Sequence, residues 1–137
     1  MRSVLVLVAA LLVGLPAAAQ DPPGTALFKT VKEKVGADKP FSLLVTAKVK
    51  EGMAAKFETA AVTVAAATLK EKGCRAYEFH RSTEDANTFH LVEKWADLPA
   101  LEGHFKTDHL TAFLGQLGEL LDGPPKAVVA TPLAPAK

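Results

Sequence analysis

The sequence predicts a single α+β domain in which two helices pack on one face of a four-stranded antiparallel sheet. Three stretches alternate apolar and polar residues with the period of half-buried strands, and longer stretches between them repeat apolar residues with a helical period. The 137 residues, 49% of them hydrophobic, suffice for one such domain and are too few for two. The predicted order is strand, helix, strand, strand, helix, strand, which is the split βαβ arrangement of ferredoxin-like domains.

The first half of the domain supplies one strand and one long helix. Residues 20–40 form a predicted N-terminal arm with a short helix that Thr25 caps. Residues 41–49 then alternate as the first strand. From 53 to 72 the apolar spacing is helical, in an alanine-rich run of high helix propensity that Gly73 ends.

A hairpin follows, made of strands at residues 76–81 and 88–95 around a polar loop. If Ser82 pairs with Thr88, the alternation of side chains sorts both strands onto two faces. One face carries an aromatic set with one carboxylate: Tyr77, Phe79, Leu91, Glu93 and Trp95. The other face carries Glu78, His80, His90 and Lys94.

The end of the domain supplies helices and the last strand. Leu98, Leu101 and Phe105 have the spacing of a short helix, and Thr107 can cap a second helix through about Leu121. A final strand at 127–131 completes a domain that runs from 41 to 133, and 134–137 form a tail. Because both main helices cover one sheet face, the apolar residues on the other face need cover, so we expect a homodimer.

Residues 1–19 have the parts of a secretory signal peptide. Arg2 gives a positive start, residues 4–15 are apolar, and Pro16 precedes three small residues. The apolar run is too short to span a bilayer comfortably, and no cysteine stands at the cleavage point to carry a lipid. We therefore expect cleavage after Ala19, no membrane insertion of the mature chain, and a periplasmic or secreted location.

The charge balance excludes polyanionic partners. Sixteen basic and fifteen acidic residues give a formal net charge of +1, which would gather neither nucleic acid nor an anionic membrane. The single cysteine, Cys74, cannot form an internal disulfide, and free cysteines are usually small buried hydrophobes.

The hairpin also places two histidines opposite each other. His80 and His90 could hold a metal if Glu78 joined them. Imidazoles on a polar strand face are usually just solvated, so we predict no metal site.

Several motifs together resemble the antibiotic biosynthesis monooxygenase domain family, over about residues 41–133. They are Gly73-Cys74, Tyr77, Glu93-Lys94-Trp95, Leu101, His104, Thr107, His109 and the run from Gly123 to Val128. The family includes cofactor-free quinol and anthrone monooxygenases and an isomerase of a small phosphorylated metabolite. The resemblance implies a dimeric α+β barrel, no cofactor, and a ligand cleft between each sheet and its own helices.

Within that family the sequence is most similar to the quinol monooxygenase branch, through Glu93, Trp95 and the pair His104 and His109. The anthrone branch has an Asn, a Tyr and an Arg at three positions that differ here. At those positions this sequence has Leu91, Leu101 and Gly115. The final helix has a leucine where haem-degrading relatives have a histidine, so the resemblance implies no haem.

A cofactor-free oxygenase needs a substrate that can donate an electron to oxygen once deprotonated, a base, and a dry aromatic pocket. We predict that His104 or His109 is the base, because a neutral imidazole suits that role near neutral pH. Glu93 would orient the base or the substrate, or position Trp95 through an internal hydrogen bond. The predicted pocket wall is Trp95, Tyr77, Phe79 and Leu91, with molecular oxygen and a small aromatic compound as partners.

Two alternatives stay open. One is a non-catalytic dimer of the same fold that binds small apolar ligands, which the three differing positions favour. The other is an isomerase of a small phosphorylated metabolite, although the aromatic face carries no cluster of arginines for a phosphate.

Overall fold

The computed structural model describes residues 24–133 and the backbone of a two-residue strand near the N-terminus. Residues 1–6 and 9–23, which include the predicted cleavage point after Ala19 and the start of the predicted arm, and the tail at 134–137 lie outside the described residues. The elements are β1 (Leu7–Val8), α1 (Thr25–Lys34), β2 (Phe41–Lys48), α2 (Ala54–Thr68), β3 (Cys74–Arg81), β4 (Thr88–Trp95), α3 (Leu98–His104), α4 (Asp108–Leu120) and β5 (Lys126–Ala130).

The sheet has the strand order β1-β5-β2-β4-β3, and every neighbouring pair is antiparallel. The four longer strands follow the order of the ferredoxin-like split βαβ unit, with the two hairpin strands β3 and β4 at one side. The predicted α+β ferredoxin-like fold is therefore confirmed. Strand β1 adds to the β5 edge by pairing Leu7 with Ala127.

The register of the hairpin agrees with the sequence prediction. Tyr77 lies opposite Glu93 and His80 opposite His90, and the Ser82 N–H donates to the Thr88 carbonyl at 2.9 Å. Strand β3 begins at Cys74, two residues earlier than predicted, and its register shifts between Cys74 and Ala76. The aromatic face of the hairpin therefore points towards the helices, as the alternation requires.

Helix α2 is shorter than its apolar pattern predicts. It ends at Thr68, after which the N–H of Lys70 donates to the Ala67 carbonyl at 3.1 Å and the N–H of Glu71 to the Thr68 carbonyl at 2.9 Å. These short-range bonds tighten the chain into a turn before β3. The turn ends at Gly73, whose φ of +88° favours glycine.

Gly73 packs closely against α3, so alanine at this position is expected to be strongly destabilising. An added Cβ would lie 2.5 Å from the Cβ of Ala100, and the left-handed backbone would carry its own penalty. We expect Gly73→Ala to lower the free energy of unfolding by about 3 kcal/mol, measured by urea denaturation.

Gly52→Ala is the matched control, because its φ of +79° is similar and no atom lies within 4 Å of an added Cβ. It should show only the backbone penalty of about 1–2 kcal/mol. Equal losses in the two variants would mean that the contact with α3 is unimportant.

The core lies between the sheet and the helices and includes the N-terminal arm. Val31 of α1 is fully buried, and Phe28 packs edge-on against Phe105 with ring centroids 5.2 Å apart. Phe57 of α2 lies at the centre of an aromatic cluster, with centroids 4.7–6.2 Å from its neighbours. Those neighbours are Phe79, Phe89 and Phe113.

Among the described residues, the outer sheet face carries exposed apolar side chains. Leu44 is 44% exposed and Val128 is 49% exposed, and the two lie opposite each other on β2 and β5. Within residues 24–133, no helix is both long enough and apolar enough to cross a bilayer.

Candidate functional site

His104 and His109 come together from two different helices. Helix α3 ends at His104, and Thr107 begins α4 by accepting a hydrogen bond from the Leu110 N–H at 3.4 Å. Because the chain turns between the two helices, the angular separation that one continuous helix would impose does not apply. The two imidazole centroids lie 6.1 Å apart.

Glu71 joins the two histidines. Its Oε1 lies 2.8 Å from His104 Nδ1 and 2.5 Å from His109 Nε2, so one carboxylate oxygen accepts from both rings. The Glu71 side chain is 14% exposed, against 2% for His104 and 29% for His109. We call Glu71, His104 and His109 the Glu–His cluster.

Sequence reasoning missed Glu71. The predicted helix at residues 53–72 included Glu71 without giving it a role, whereas Glu71 lies in the turn after Thr68. The close approach of Gly73 to Ala100 holds this turn against α3, and the Gly73 carbonyl accepts from the Ala96 N–H at 2.8 Å. The only feature of the sequence that could have pointed to Glu71 is its place two positions before a glycine that precedes a strand.

Aromatic rings enclose His104 on its inner side. Its ring centroid lies 4.9 Å from that of Trp95 and 5.3 Å from that of Tyr77. Burial lowers the pKa of His104, while its hydrogen bond to Glu71 and the charge of that carboxylate act in the opposite direction.

Glu93 lies behind Trp95 and contacts it directly. Its Oε2 accepts from Trp95 Nε1 at 2.8 Å, and the residue is only 7% exposed. Burial raises the pKa of Glu93 to about 7; the hydrogen bond from Trp95 lowers it, and the charge of Glu71 raises it further. The structure thus realises the internal hydrogen bond to Trp95 that was one of the predicted alternatives.

Glu93→Gln is expected to stabilise the protein in a pH-dependent way. A folded pKa of about 7 lies above the ordinary 4.5, so the stability that Glu93 contributes is fully present below about pH 4.5 and is lost as the pH rises through 7. Glutamine keeps an acceptor for Trp95 but carries no charge. We expect a gain of roughly 3 kcal/mol above pH 7 that shrinks towards zero near pH 4.5, measured by urea denaturation across this range.

Glu78→Gln is the control, since Glu78 is exposed on the opposite sheet face and water already solvates its charge. Its stability should follow the wild type across the same range. A Glu93→Gln gain that is equal at both ends of the range would contradict the assignment.

Two grooves flank the Glu–His cluster. The first, which we call the α2–α4 groove, has a volume of about 520 Å³ and reaches His109 at one end. Its buried side chains are Ala60, Val64 and Phe113, and its polar ones are Lys56, Thr59, Thr63 and Gln116. The second groove, of about 640 Å³, includes Glu71 and runs along the start of α3.

Four predicted site residues form a continuous chain of contacts, which passes through Glu71. It runs from Glu93, which is buried, through Trp95, His104 and Glu71 to His109, which is partly exposed.

The residues of the predicted pocket wall do not line a groove. Trp95 is fully buried, Tyr77 is 3% exposed, and neither they nor Phe79 and Leu91 line either groove. Their contact with substrate stays a prediction.

Comparison with known proteins places the chain among relatives of the same fold. The family model for antibiotic biosynthesis monooxygenase matches residues 40–116. The uncharacterized protein sll1783 of Synechocystis is 30% identical over 102 residues, which are 74% of this chain and 67% of that protein. YcnE of Bacillus subtilis is 31% identical over 77 residues, which are 56% of this chain and 81% of that protein.

A solved structure is also similar. The crystal structure of PA3566 from Pseudomonas aeruginosa is 30% identical with a TM-score of 0.66, and the match covers 70% of this chain and 96% of that one. The chain belongs to the antibiotic biosynthesis monooxygenase family.

Proposed function

We propose that this protein is a cofactor-independent monooxygenase that acts on a quinol-like or other electron-rich aromatic compound. The observation that carries the proposal is the position of His109, which lines the α2–α4 groove and is also hydrogen-bonded to Glu71. A base held by a partly buried carboxylate beside a groove with an apolar floor is an arrangement suited to the deprotonation of a flat phenol.

Glu71 gives His109 a defined tautomer in this proposal. Because the carboxylate accepts, Nε2 of His109 carries the proton of the 2.5 Å contact, and Nδ1 is left with the lone pair. Nδ1 is therefore the nitrogen that would remove a phenolic proton. The imidazolium formed in this step would be stabilised by the Glu71 carboxylate.

The rest of the reaction relies on the substrate. The quinol anion donates an electron to molecular oxygen, the two radicals combine at a ring carbon, and loss of water leaves a hydroxylated quinone. One quinol and one oxygen molecule give one hydroxyquinone and one water, so no external reductant is needed. The protein contributes the base and the orientation of the ring on the apolar groove floor.

Oxygen uptake with a panel of hydroquinones, after EDTA treatment of the protein, tests the proposal. We expect uptake above the uncatalysed rate and one labelled oxygen atom from ¹⁸O₂ in the product by mass spectrometry. Uptake equal to the background for every hydroquinone would contradict the proposed activity.

Ligand binding without chemistry is the second candidate function. The aromatic side chains that were predicted to hold a substrate are packed in the core, and Trp95 is fully buried. A hydroquinone that binds, measured by calorimetry, but gives no oxygen uptake would favour this candidate.

We also propose that the protein is a homodimer that covers the outer sheet face around Leu44 and Val128. Light scattering after size-exclusion chromatography should give twice the mass of one chain. A single-chain mass at micromolar concentration would contradict the dimer.

A further inference from the structure

We propose that the Glu–His cluster binds one divalent transition-metal cation, with Glu71, His104 and His109 as its protein ligands. Within residues 24–133, these three form a group whose potential ligand atoms all lie within 4.8 Å of one another. The proposal goes beyond the proposed function, which uses no metal.

The separations of the ligand atoms suit a cation after a small adjustment. Tetrahedral zinc with bonds of about 2.0–2.1 Å places its ligand atoms about 3.3 Å apart. Glu71 Oε1 now lies 2.8 Å and 2.5 Å from the two nitrogens, so the carboxylate must withdraw by less than about 1 Å. All three ligand atoms lie within 4.8 Å of one another, and the partly exposed His109 ring can move its nitrogen to the spacing that the ion requires. Glu71 lies in a turn rather than in a helix, which makes this withdrawal easy for its long side chain.

The types of ligand select the class of cation. Two imidazoles and one carboxylate suit zinc and its first-row neighbours, whereas magnesium and calcium prefer sites made wholly of oxygen. Three protein ligands leave at least one coordination position open to solvent or a small anion. The partial exposure of His109, 29%, provides a route for the ion.

The surroundings hold the ligands in place before an ion binds. His104 is 2% exposed and packs against the rings of Trp95 and Tyr77, so its orientation is fixed by the core. The Thr107 side chain donates to the His104 carbonyl at 2.7 Å, which ties the two helix ends together. A preorganised ligand set of this kind loses little conformational entropy on binding.

Metal binding would oppose the proposed oxygenation. A cation on His109 Nε2 takes the lone pair of that nitrogen, so the ring proton moves to Nδ1, the atom proposed as the base. The cation would therefore act as an inhibitor of the same site.

Titration of the EDTA-treated full chain with Zn²⁺ by calorimetry, and with Co²⁺ by visible absorption, tests the proposal. We expect one ion per chain and the visible absorption bands of Co²⁺ with nitrogen and oxygen ligands. Glu71→Gln and His109→Asn should each weaken binding by at least about tenfold. Both ligands are partly exposed, and circular dichroism verifies that the variants fold.

His80→Asn and His90→Asn are the matched controls, because they remove the other histidine pair, which lies on the outer sheet face. Their affinity should equal that of the wild type. The proposal is overturned if neither ion binds, if Glu71→Gln and His109→Asn bind as the wild type does, or if binding is lost in the controls instead. Oxygen uptake in EDTA is a separate measurement, so failure here and failure of the proposed function are distinguishable.

Discussion

Replacing His109 by alanine is expected to lower kcat/KM for hydroquinone oxidation by about 10²–10⁴-fold, the usual contribution of a positioned base. His109 lies at the end of the α2–α4 groove, and its Nε2 bonds to Glu71. Because the side chain is 29% exposed, its removal leaves the core intact and should have little effect on folding. Steady-state oxygen uptake at several hydroquinone concentrations measures the loss.

His80→Ala is the control for this variant. It removes the same kind of side chain from the outer sheet face. His80 is 55% exposed there and lies opposite His90 on the hairpin, on the face that points away from the helices and the groove. Its kcat/KM should equal that of the wild type. Wild-type activity in His109→Ala would show that His109 is not the base.

Phe57→Ala is expected to lower the free energy of unfolding by about 3–5 kcal/mol, a large part of the stability of a domain of this size. Phe57 is 2% exposed and contacts three other phenylalanine rings, with the nearest centroid at 4.7 Å. Alanine would leave a cavity between α2 and the sheet that the neighbouring rings cannot fill without leaving their preferred rotamers. Urea denaturation with far-ultraviolet circular dichroism measures the change.

Val62→Ala is the matched control on the same helix. Val62 is 69% exposed, so the loss of its methyl groups removes little buried surface, and alanine has the higher helix propensity. A change within about 0.5 kcal/mol is expected. A Phe57→Ala loss of that same small size would mean that the aromatic cluster is not the centre of the core.

The sheet and its faces could be predicted because the signals are local. Alternation in β3 and β4 and the short polar loop between them set the register, so Tyr77 opposite Glu93 followed from the period of a strand. The cap of α4 was also local, since Thr107 accepts from the N–H only three residues later.

The Glu–His cluster could be predicted only in part. His104 and His109 are close in sequence, and a capping threonine between them indicates two helices. Glu71 lies 33 and 38 residues earlier in the chain, and its position depends on where α2 ends. That end is set by packing of Gly73 on Ala100, a tertiary contact that alanine-rich periodicity does not indicate.

The position of the open grooves also could not be predicted from the sequence. The aromatic face of the hairpin was expected to line a cleft, but the rings of Phe57 from α2 and Phe113 from α4 pack against Phe79 and fill the space. The α2–α4 groove instead lies between the two helices, where Ala60 and Val64 leave a shallow apolar floor. Small side chains on a helix are compatible both with close packing against a neighbour and with an open groove, so their pattern does not distinguish the two.

An anaerobic titration of the ¹⁵N-labelled protein with a hydroquinone, followed by two-dimensional NMR, tests most directly whether the α2–α4 groove binds the substrate. Without oxygen there is no turnover, so the spectrum reports where the ligand binds. We expect the largest shifts on the amides of the α2–α4 groove, including Thr63, His109 and Gln116, together with a response of the His109 side chain. Shifts centred on the outer sheet face around Leu44 and Val128, or no shifts at all, would contradict binding in this groove.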